Sequence, residues 1–573
     1  MIVPALLGAL VAAHTNCLAQ VVFSNQAIST GIHAYSDVDV TITDCWVTGS
    51  SGGTVIIVVS GGSLTVNGFN GAGVDGTDGT SVGYACPGYG LPTPGTAGTD
   101  GYCFAFSTAP SSSRPNVSLD ISIGCLGVTA VGGAGGGGGS GGDAAGGVDG
   151  PNPCPTEHCN DVYDAQPGND GAPGAKGGSV TILSSGAIII GGKIDTSGGD
   201  GGAGGGGGDS GLPGTSGPEA AKNGCPGGKA GDINIQHTTL AAANALCNLV
   251  VIDNDCYGEL KGDGGDGGSG GDGGGGGVPG SGPKAGGDGA IGGAGATIYF
   301  NVHRFSQAAS CGVSARGGLG GAGGRGGSGN DFDCPECHED GLPIIKYPGF
   351  IGWKGQPGGL GGDGGAGGSV TYIASNTAVF AGGSTWSCGG DGASAGLTGN
   401  SGFLASTPCE PECPDGRSAS PGADGNASGS GGTSGDITIT IPAYLVSTGT
   451  LFNTEGGDGA SGVLGGKGKP LCCNDVLWAR GIGGIGGAGG TGGNGGNVVI
   501  TGTRVGSVPT YWTCGGRGGD GGSGQIDSGP GHAGATGGTA GGVSDNLTWS
   551  YPSTCPGNGN SGSTGPLGSC GGN

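Results

Sequence analysis

A strand signal that returns after a run of glycines, over and over along 573 residues, constrains this chain more than anything else in it. Alternating Val, Ile and Thr open eight segments: Thr54-Val-Ile-Ile-Val-Val, Asn116-Val-Ser-Leu-Asp-Ile, Ser179-Val-Thr-Ile-Leu, Asp232-Ile-Asn-Ile, Ala296-Thr-Ile-Tyr-Phe, Ser369-Val-Thr-Tyr-Ile, Asp436-Ile-Thr-Ile-Thr-Ile and Asn497-Val-Val-Ile. A second apolar patch follows each, as in Ala187-Ile-Ile-Ile or Ala378-Val-Phe-Ala, and then a glycine tract begins. A unit with two short strands cannot bury its own apolar faces. Stacked units let equivalent Val and Ile positions pack in ladders, which is how repeat proteins become stable. The pattern predicts an all-β fold, a β-solenoid or layered β-sandwich spine, with one strand face buried and Thr, Asn, Ser and Asp turned to water.

The glycine tracts are phased. Gly262-Asp-Gly-Gly-Asp-Gly-Gly-Ser, Gly317-Gly-Leu-Gly-Gly-Ala-Gly-Gly-Arg and Gly483-Gly-Ile-Gly-Gly-Ala-Gly-Gly-Thr repeat a Gly-Gly-X triplet. Three residues per turn is the period of the polyproline-II helix, and two bare positions per turn let neighbouring extended helices touch while X points outward. Each repeat is therefore expected to send out a polyglycine-II-like arm packed on the arms of its neighbours. The competing reading is a set of flexible linkers, since glycine loses the most freedom on ordering. Phasing and regularly placed cysteines argue for order.

With 156 Gly and 5% aromatic residues the chain cannot form one large conventional core. Residues 2–13 are an apolar run followed by Cys17-Leu18-Ala19, so 1–19 reads as a secretory signal, without the usual basic start. Residues 20–50 read as an N-terminal cap, 51–545 as the eight degenerate repeats and 546–573 as a C-terminal extension. No later stretch has the roughly 18 apolar residues of a membrane span, so no transmembrane anchor is expected. A net charge of −25 argues against nucleic acid, whose binding rests on neutralising phosphates with basic side chains.

Losing Cys17 with the signal would leave 20 of the 21 cysteines, as suits disulfides formed in an oxidising compartment. Cys154 with Cys159, Cys334 with Cys337, Cys409 with Cys413, and Cys472 with Cys473 lie at arm positions; their spacing drifts, which a disulfide tolerates better than a metal site does. Cys125, Cys311, Cys388 and Cys514 sit where strands give way to arms and are read as links between neighbouring layers. Cys334-Pro-Glu-Cys337-His338 fits the haem c attachment pattern, but shares its place with other arm-tip pairs and is read as a disulfide. An Asp near the start of most arms, at Asp75, Asp200, Asp263, Asp391, Asp458 and Asp520, would form a row if the units stack in register. Such a row offers oxygen ligands to Ca²⁺; the plainer alternative is solvation or local turn bonding.

The alternation of Val-Thr-Ile strands with Gly-Gly-Asp-Gly-Gly tracts over about residues 51 to 545 resembles glycine-rich secreted and surface proteins of bacteria with β-solenoid spines, loosely the mycobacterial PGRS group. The tracts are also similar to the polyglycine-II bundles of some phage tail-tip adhesins and of a springtail antifreeze protein. The resemblance implies an architecture more than an activity, and the many cysteines and the lack of an N-terminal helical domain depart from the PGRS type. The function expected is extracellular and structural, in a matrix or at a cell surface, with self-association as its natural mode. The alternative is an adhesin meeting glycans or another surface through arm-tip loops near Trp353 and Trp478. A polysaccharide-active β-helix enzyme and an ice-binding protein are lesser readings: no carboxylate pair stands out, the histidines are scattered, and the X residues are mixed. No enzyme is expected.

Overall fold

The computed structural model describes residues 19–82, 91–113, 119–138, 140, 165–209, 218–238, 249–252, 258–275, 282–328, 354–399, 422–467, 471–473, 476–479, 483–506, 509–524 and 543–545. Among these the chain is all-β without a helix, and so without one long and apolar enough to cross a membrane.

Six strands precede the first long glycine tract: β1 (Ala19–Ser24), β2 (Ala27–Ser29), β3 (Gly31–Ser36), β4 (Val38–Thr48), β5 (Thr54–Ser60) and β6 (Leu64–Asn70). Three repeats of three strands follow. They comprise β7 (Cys103–Ala109), β8 (Ile121–Ile123) and β9 (Val128–Thr129); β10 (Val180–Ser184), β11 (Ile188–Ile190) and β12 (Lys193–Asp195); and β13 (Ile233–His237), β14 (Leu249–Ile252) and β15 (Glu259–Lys261). In the later repeats the first two strands merge into one, giving β16 (Ile298–Gln307) with β17 (Gly312–Ser314), β18 (Val370–Phe380) with β19 (Ser384–Trp386), and β20 (Ile437–Ser447) with β21 (Leu451–Asn453). A separate antiparallel pair, β22 (Leu471–Cys473) and β23 (Val476–Ala479), precedes β24 (Val498–Gly506), β25 (Thr510–Trp512) and β26 (Val543–Asp545).

Strands pair with their counterparts in the next repeat, and these pairings are parallel. One ladder runs β3, β5, β7, β10, β13, β16, β18, β20, β24, β26. A second runs β1, β4, β6, β8, β11, β14 and continues through the second halves of β16, β18, β20 and β24. A third joins β2, the ends of β4 and β6, β9, β12, β15, β17, β19, β21 and β25. Parallel neighbours require a long return connection, and here the rest of the repeat supplies it.

The period-2 alternation places one side chain in two inside the three ladders. Along the first ladder Val55, Phe104, Val180, Ile233, Ile298, Val370, Ile437 and Val498 stack in register, all buried. The third contributes Val128, Ile194, Leu260, Val313, Thr385, Phe452 and Tyr511 to the same interior. Aromatic residues cluster where repeats adjoin: Phe69 lies 4.7 Å from Phe104 between ring centroids, and Phe300 stacks on Tyr372 at 4.8 Å. Burying each such side chain contributes about 1.5–3 kcal/mol, and only the stack provides the partner surface.

One expectation needs correction. The repeat placed at Asn116 opens instead at β7, whose Cys103-Phe-Ala-Phe-Ser-Thr-Ala lacks the Val-Ile-Thr signature but puts Phe104 and Phe106 where other repeats have Val or Ile; of the Asn116 string, Ile121 begins the second-ladder strand β8. Residues 20–50 carry β1 to β4, which pair in the same three ladders as the repeats that follow.

Candidate functional surface

After each third-ladder strand from β6 to β21 the chain leaves the strands as a glycine tract, and its return leg leads into the next first-ladder strand. Hydrogen bonds recur every three residues along both legs. In the tract after β12, Gly198, Gly201, Gly204 and Gly207 donate to the carbonyls of Asp263, Asp266, Ser269 and Asp272 in the next repeat. The second glycine of each pair turns the other way: Gly199, Gly202 and Gly205 donate to Ala175, Ala172 and Asn169 on the preceding return leg. Returning amides close the array, with Lys222, Cys225 and Gly228 donating to Gly205, Gly202 and Gly199. Every third residue is left on the outside, as Asp200, Ala203 and Asp209 are. Glycine is required because the tracts touch: a Cβ on Gly265 would overlap the Gly199 carbonyl oxygen.

The outward X residues line up in columns, one member per repeat. Asp75, Ala134, Asp200, Asp266, Leu319, Asp391, Asp458 and Arg517 form one column on the outgoing legs, as the bonds Gly76 to Ala134, Gly135 to Asp200, Gly201 to Asp266, Gly267 to Leu319, Gly320 to Asp391, Gly392 to Asp458 and Gly459 to Arg517 establish. Four of the six aspartates expected in a row, Asp75, Asp200, Asp391 and Asp458, share it. Asp263 stands one triplet nearer the strands, beside Arg316, and Asp520 one triplet farther out. Asp266 holds the place given to Asp263. The triplet phase of the sequence fits either residue, and the register is set by the strand ladders.

These carboxylates have a structural task. The X amide N–H points outward, and an Asp in the preceding repeat accepts it: Asp75 from Ala134 at 2.8 Å, Asp200 from Asp266 at 2.8 Å, Asp266 from Leu319 at 2.8 Å and Asp458 from Arg517 at 2.6 Å. Asp263 accepts both the Arg316 amide at 2.8 Å and the Ser314 hydroxyl at 2.6 Å. Return legs do the same with Asp288 to Leu360 and Asp363 to Ser430. Burial raises the pKa of Asp266 and Asp391, the neighbouring Asp200 and Asp458 adding to it, and burial followed by Asp458 raises that of Glu455. Among the described residues no group of three or more His, Cys, Asp or Glu comes together as a metal would need. The second carboxylate oxygen of Asp263 faces Lys261 Nζ at 3.9 Å, and Ca²⁺ along the column stays a proposal.

Cys388 and Cys311, expected as links between layers, are thiols. The Cys388 sulfur lies 3.8 Å from the Asn453 carbonyl, with burial pushing its pKa up to about 11. The Cys311 thiol donates to the Ile252 carbonyl at 3.4 Å. Both sulfurs thus lie against backbone carbonyls of a neighbouring repeat. Cys45, Cys103 and Cys225 are also thiols. Cys154, Cys159, Cys334, Cys337, Cys409 and Cys413, with His338 of the haem-like string and Trp353, lie outside the described residues; Cys472 and Cys473 fall in β22, and Trp478 in β23.

A histidine pair also escaped the sequence reading. The His303 amide donates to Nδ1 of His237 at 3.1 Å, and His303 Nδ1 lies 2.7 Å from the Ser375 hydroxyl. Burial drives the His237 pKa down to about 4. The only signal available was that His237 and His303 both follow a first-ladder strand opening. Searches of protein-family models, curated proteins and solved structures find no match to this chain.

Proposed function

We propose that the protein is an extracellular structural or matrix component, a β-solenoid spine carrying a slab of polyglycine-II-like arms that acts by self-association or by presenting a rigid surface. The observation that carries this reading is the three-residue hydrogen-bond lattice joining successive glycine tracts, which turns a composition typical of linkers into a fixed scaffold continuous with the strand ladders. A catalyst gathers a few side chains in a concave site; here polar X residues are spread along columns on the outgoing and return legs. Disulfides at Cys125 and Cys514 belong to this picture as staples near the spine, with export through residues 1–19 supplying the oxidising compartment.

The second reading is an adhesin. It is favoured by Leu397 and Leu464, exposed neighbours in one column at 52% and 49% accessibility, with Leu319 exposed two triplets nearer the strands. Side chains of this kind on a rigid array suit contact with a glycan or another surface. Electron microscopy of the secreted, non-reduced protein tests the first reading: filaments or sheets support assembly, and discrete particles at all concentrations overturn self-association and direct attention to glycan-array and cell-binding assays.

A further inference from the structure

The first glycine tract, residues 71–82 with its return leg 91–102, is the only one among the described residues with no tract before it, because β4 runs into β5 through a short connection. In every inner repeat the amide of the second glycine of each pair donates to a carbonyl on the preceding return leg; Gly133 and Gly136, for example, donate to Thr99 and Thr96. At the first tract these positions are Val74, Thr77 and Thr80, and among the described residues no preceding tract offers them a carbonyl. Their amides donate instead to hydroxyls of their own return leg: Val74 to Thr99 Oγ1 at 2.6 Å, Thr77 to Thr96 Oγ1 at 2.7 Å and Thr80 to Thr93 Oγ1 at 2.7 Å. The hydroxyls of Thr77 and Thr96, and of Thr80 and Thr93, pair at 3.0 and 2.9 Å.

The sequence changes where the packing changes. On the outgoing legs of inner tracts these sites are glycine apart from Ala393, Ala460 and Val463, because a neighbour's backbone fills the space: a Cβ on Gly199 would overlap the Gly133 carbonyl, and on the return leg one on Gly228 would overlap the Ala175 carbonyl. At the first tract Val and Thr occupy them, with Val74 71% exposed and Thr77, Thr80, Thr93 and Thr96 also exposed. Threonine hydroxyls take up the three donors that another tract would use.

We propose that Thr93, Thr96 and Thr99, with Val74, Thr77 and Thr80, form a terminal cap that closes this face of the glycine slab against the glycine tracts of a second copy of the chain. Copies that associate therefore do so elsewhere. An open edge of backbone donors is the usual route to uncontrolled growth, and this device is the glycine-tract counterpart of charge or proline on a β-edge. The inference holds whether or not the wild-type protein assembles, because its test compares variants with wild type.

Two variants of the full-length protein test it. In T93V/T96V/T99V the shape is kept and the acceptors are lost. Amide exchange at Val74, Thr77 and Thr80 is expected to quicken roughly tenfold, while Gly73, Gly76 and Gly79, bonded to the next repeat, keep wild-type rates. Unchanged exchange at all three overturns the cap. In a variant with all six cap residues replaced by glycine, sedimentation velocity is expected to show association at least about tenfold tighter than wild type, since bare donors are restored. Association equal to wild type in that variant, with the strand amides of β5 and β7 still protected, overturns the role against a second copy.

Discussion

Asp391 and Asp458 hold the same place in successive repeats, and Oδ1 of the first accepts the amide N–H of the second at 2.7 Å. One side chain thus satisfies the backbone donor that a Gly-Gly-X tract leaves facing outward. Its cost is the proximity of two carboxylates, which adds to burial in raising the pKa of Asp391. A carboxyl whose folded pKa is raised contributes stability below its unfolded pKa and loses it as pH rises through the folded value.

Asp391→Asn keeps the acceptor and removes the charge. It is expected to be no less stable than wild type at pH 7 and to flatten the fall in stability between pH 4 and neutrality. Asp391→Ala loses the acceptor and should cost about 0.5–1.5 kcal/mol at pH 7. Thermal unfolding of the three proteins across pH 3–8 decides; equal losses in both variants would show that the charge rather than the acceptor matters.

Position within the triplet should govern tolerance. Gly318 donates to the Gly293 carbonyl at 2.8 Å, and a Cβ there would overlap the Gly265 carbonyl oxygen. Gly318→Ala is expected to destabilise by about 1–3 kcal/mol. Ala322, an exposed X residue on the same leg, should accept Ser within about 0.5 kcal/mol. Chemical denaturation measures both, and equal effects would contradict a packed slab.

His237 is held neutral by burial, with Nδ1 engaged by the His303 amide and its pKa at about 4. Around it stand the Gly186 backbone, His303 with its Ser375 and Asn376 partners, and Arg304 beside His303. A histidine with a depressed folded pKa contributes stability above its unfolded value near 6.5 and loses it as pH falls toward 4, a span of roughly 3 kcal/mol. His237→Asn, which can still accept the amide, should remove much of that slope in melting temperature. An unchanged slope would assign the acid sensitivity to other groups.

The raised pKa of Cys388 predicts a sluggish thiol. Iodoacetamide at pH 8 is expected to label Cys388 at least about tenfold more slowly in the folded protein than after unfolding without reductant, as read by peptide mass spectrometry. A Cys388 found oxidised in the protein isolated without reductant would restore the layer-to-layer disulfide expected from its Trp-Ser-Cys-Gly-Gly context.

The sequence by itself determined the all-β character, the strand openings at Val180, Ile233, Ile298, Val370, Ile437 and Val498, and the triplet phase of the tracts, because alternation and glycine spacing are local properties with a fixed period. It could not show that β7 opens a repeat, since Phe104 and Phe106 declare themselves only through the ladder positions they share with Val180 and Ile182. Nor could it choose Asp266 over Asp263, or set Thr93, Thr96 and Thr99 opposite Thr80, Thr77 and Val74. Those pairings join residues 13 to 66 positions apart. A period of three leaves the register between tracts open to slips of one triplet, and it is the strand ladders, packed on a common core, that fix it.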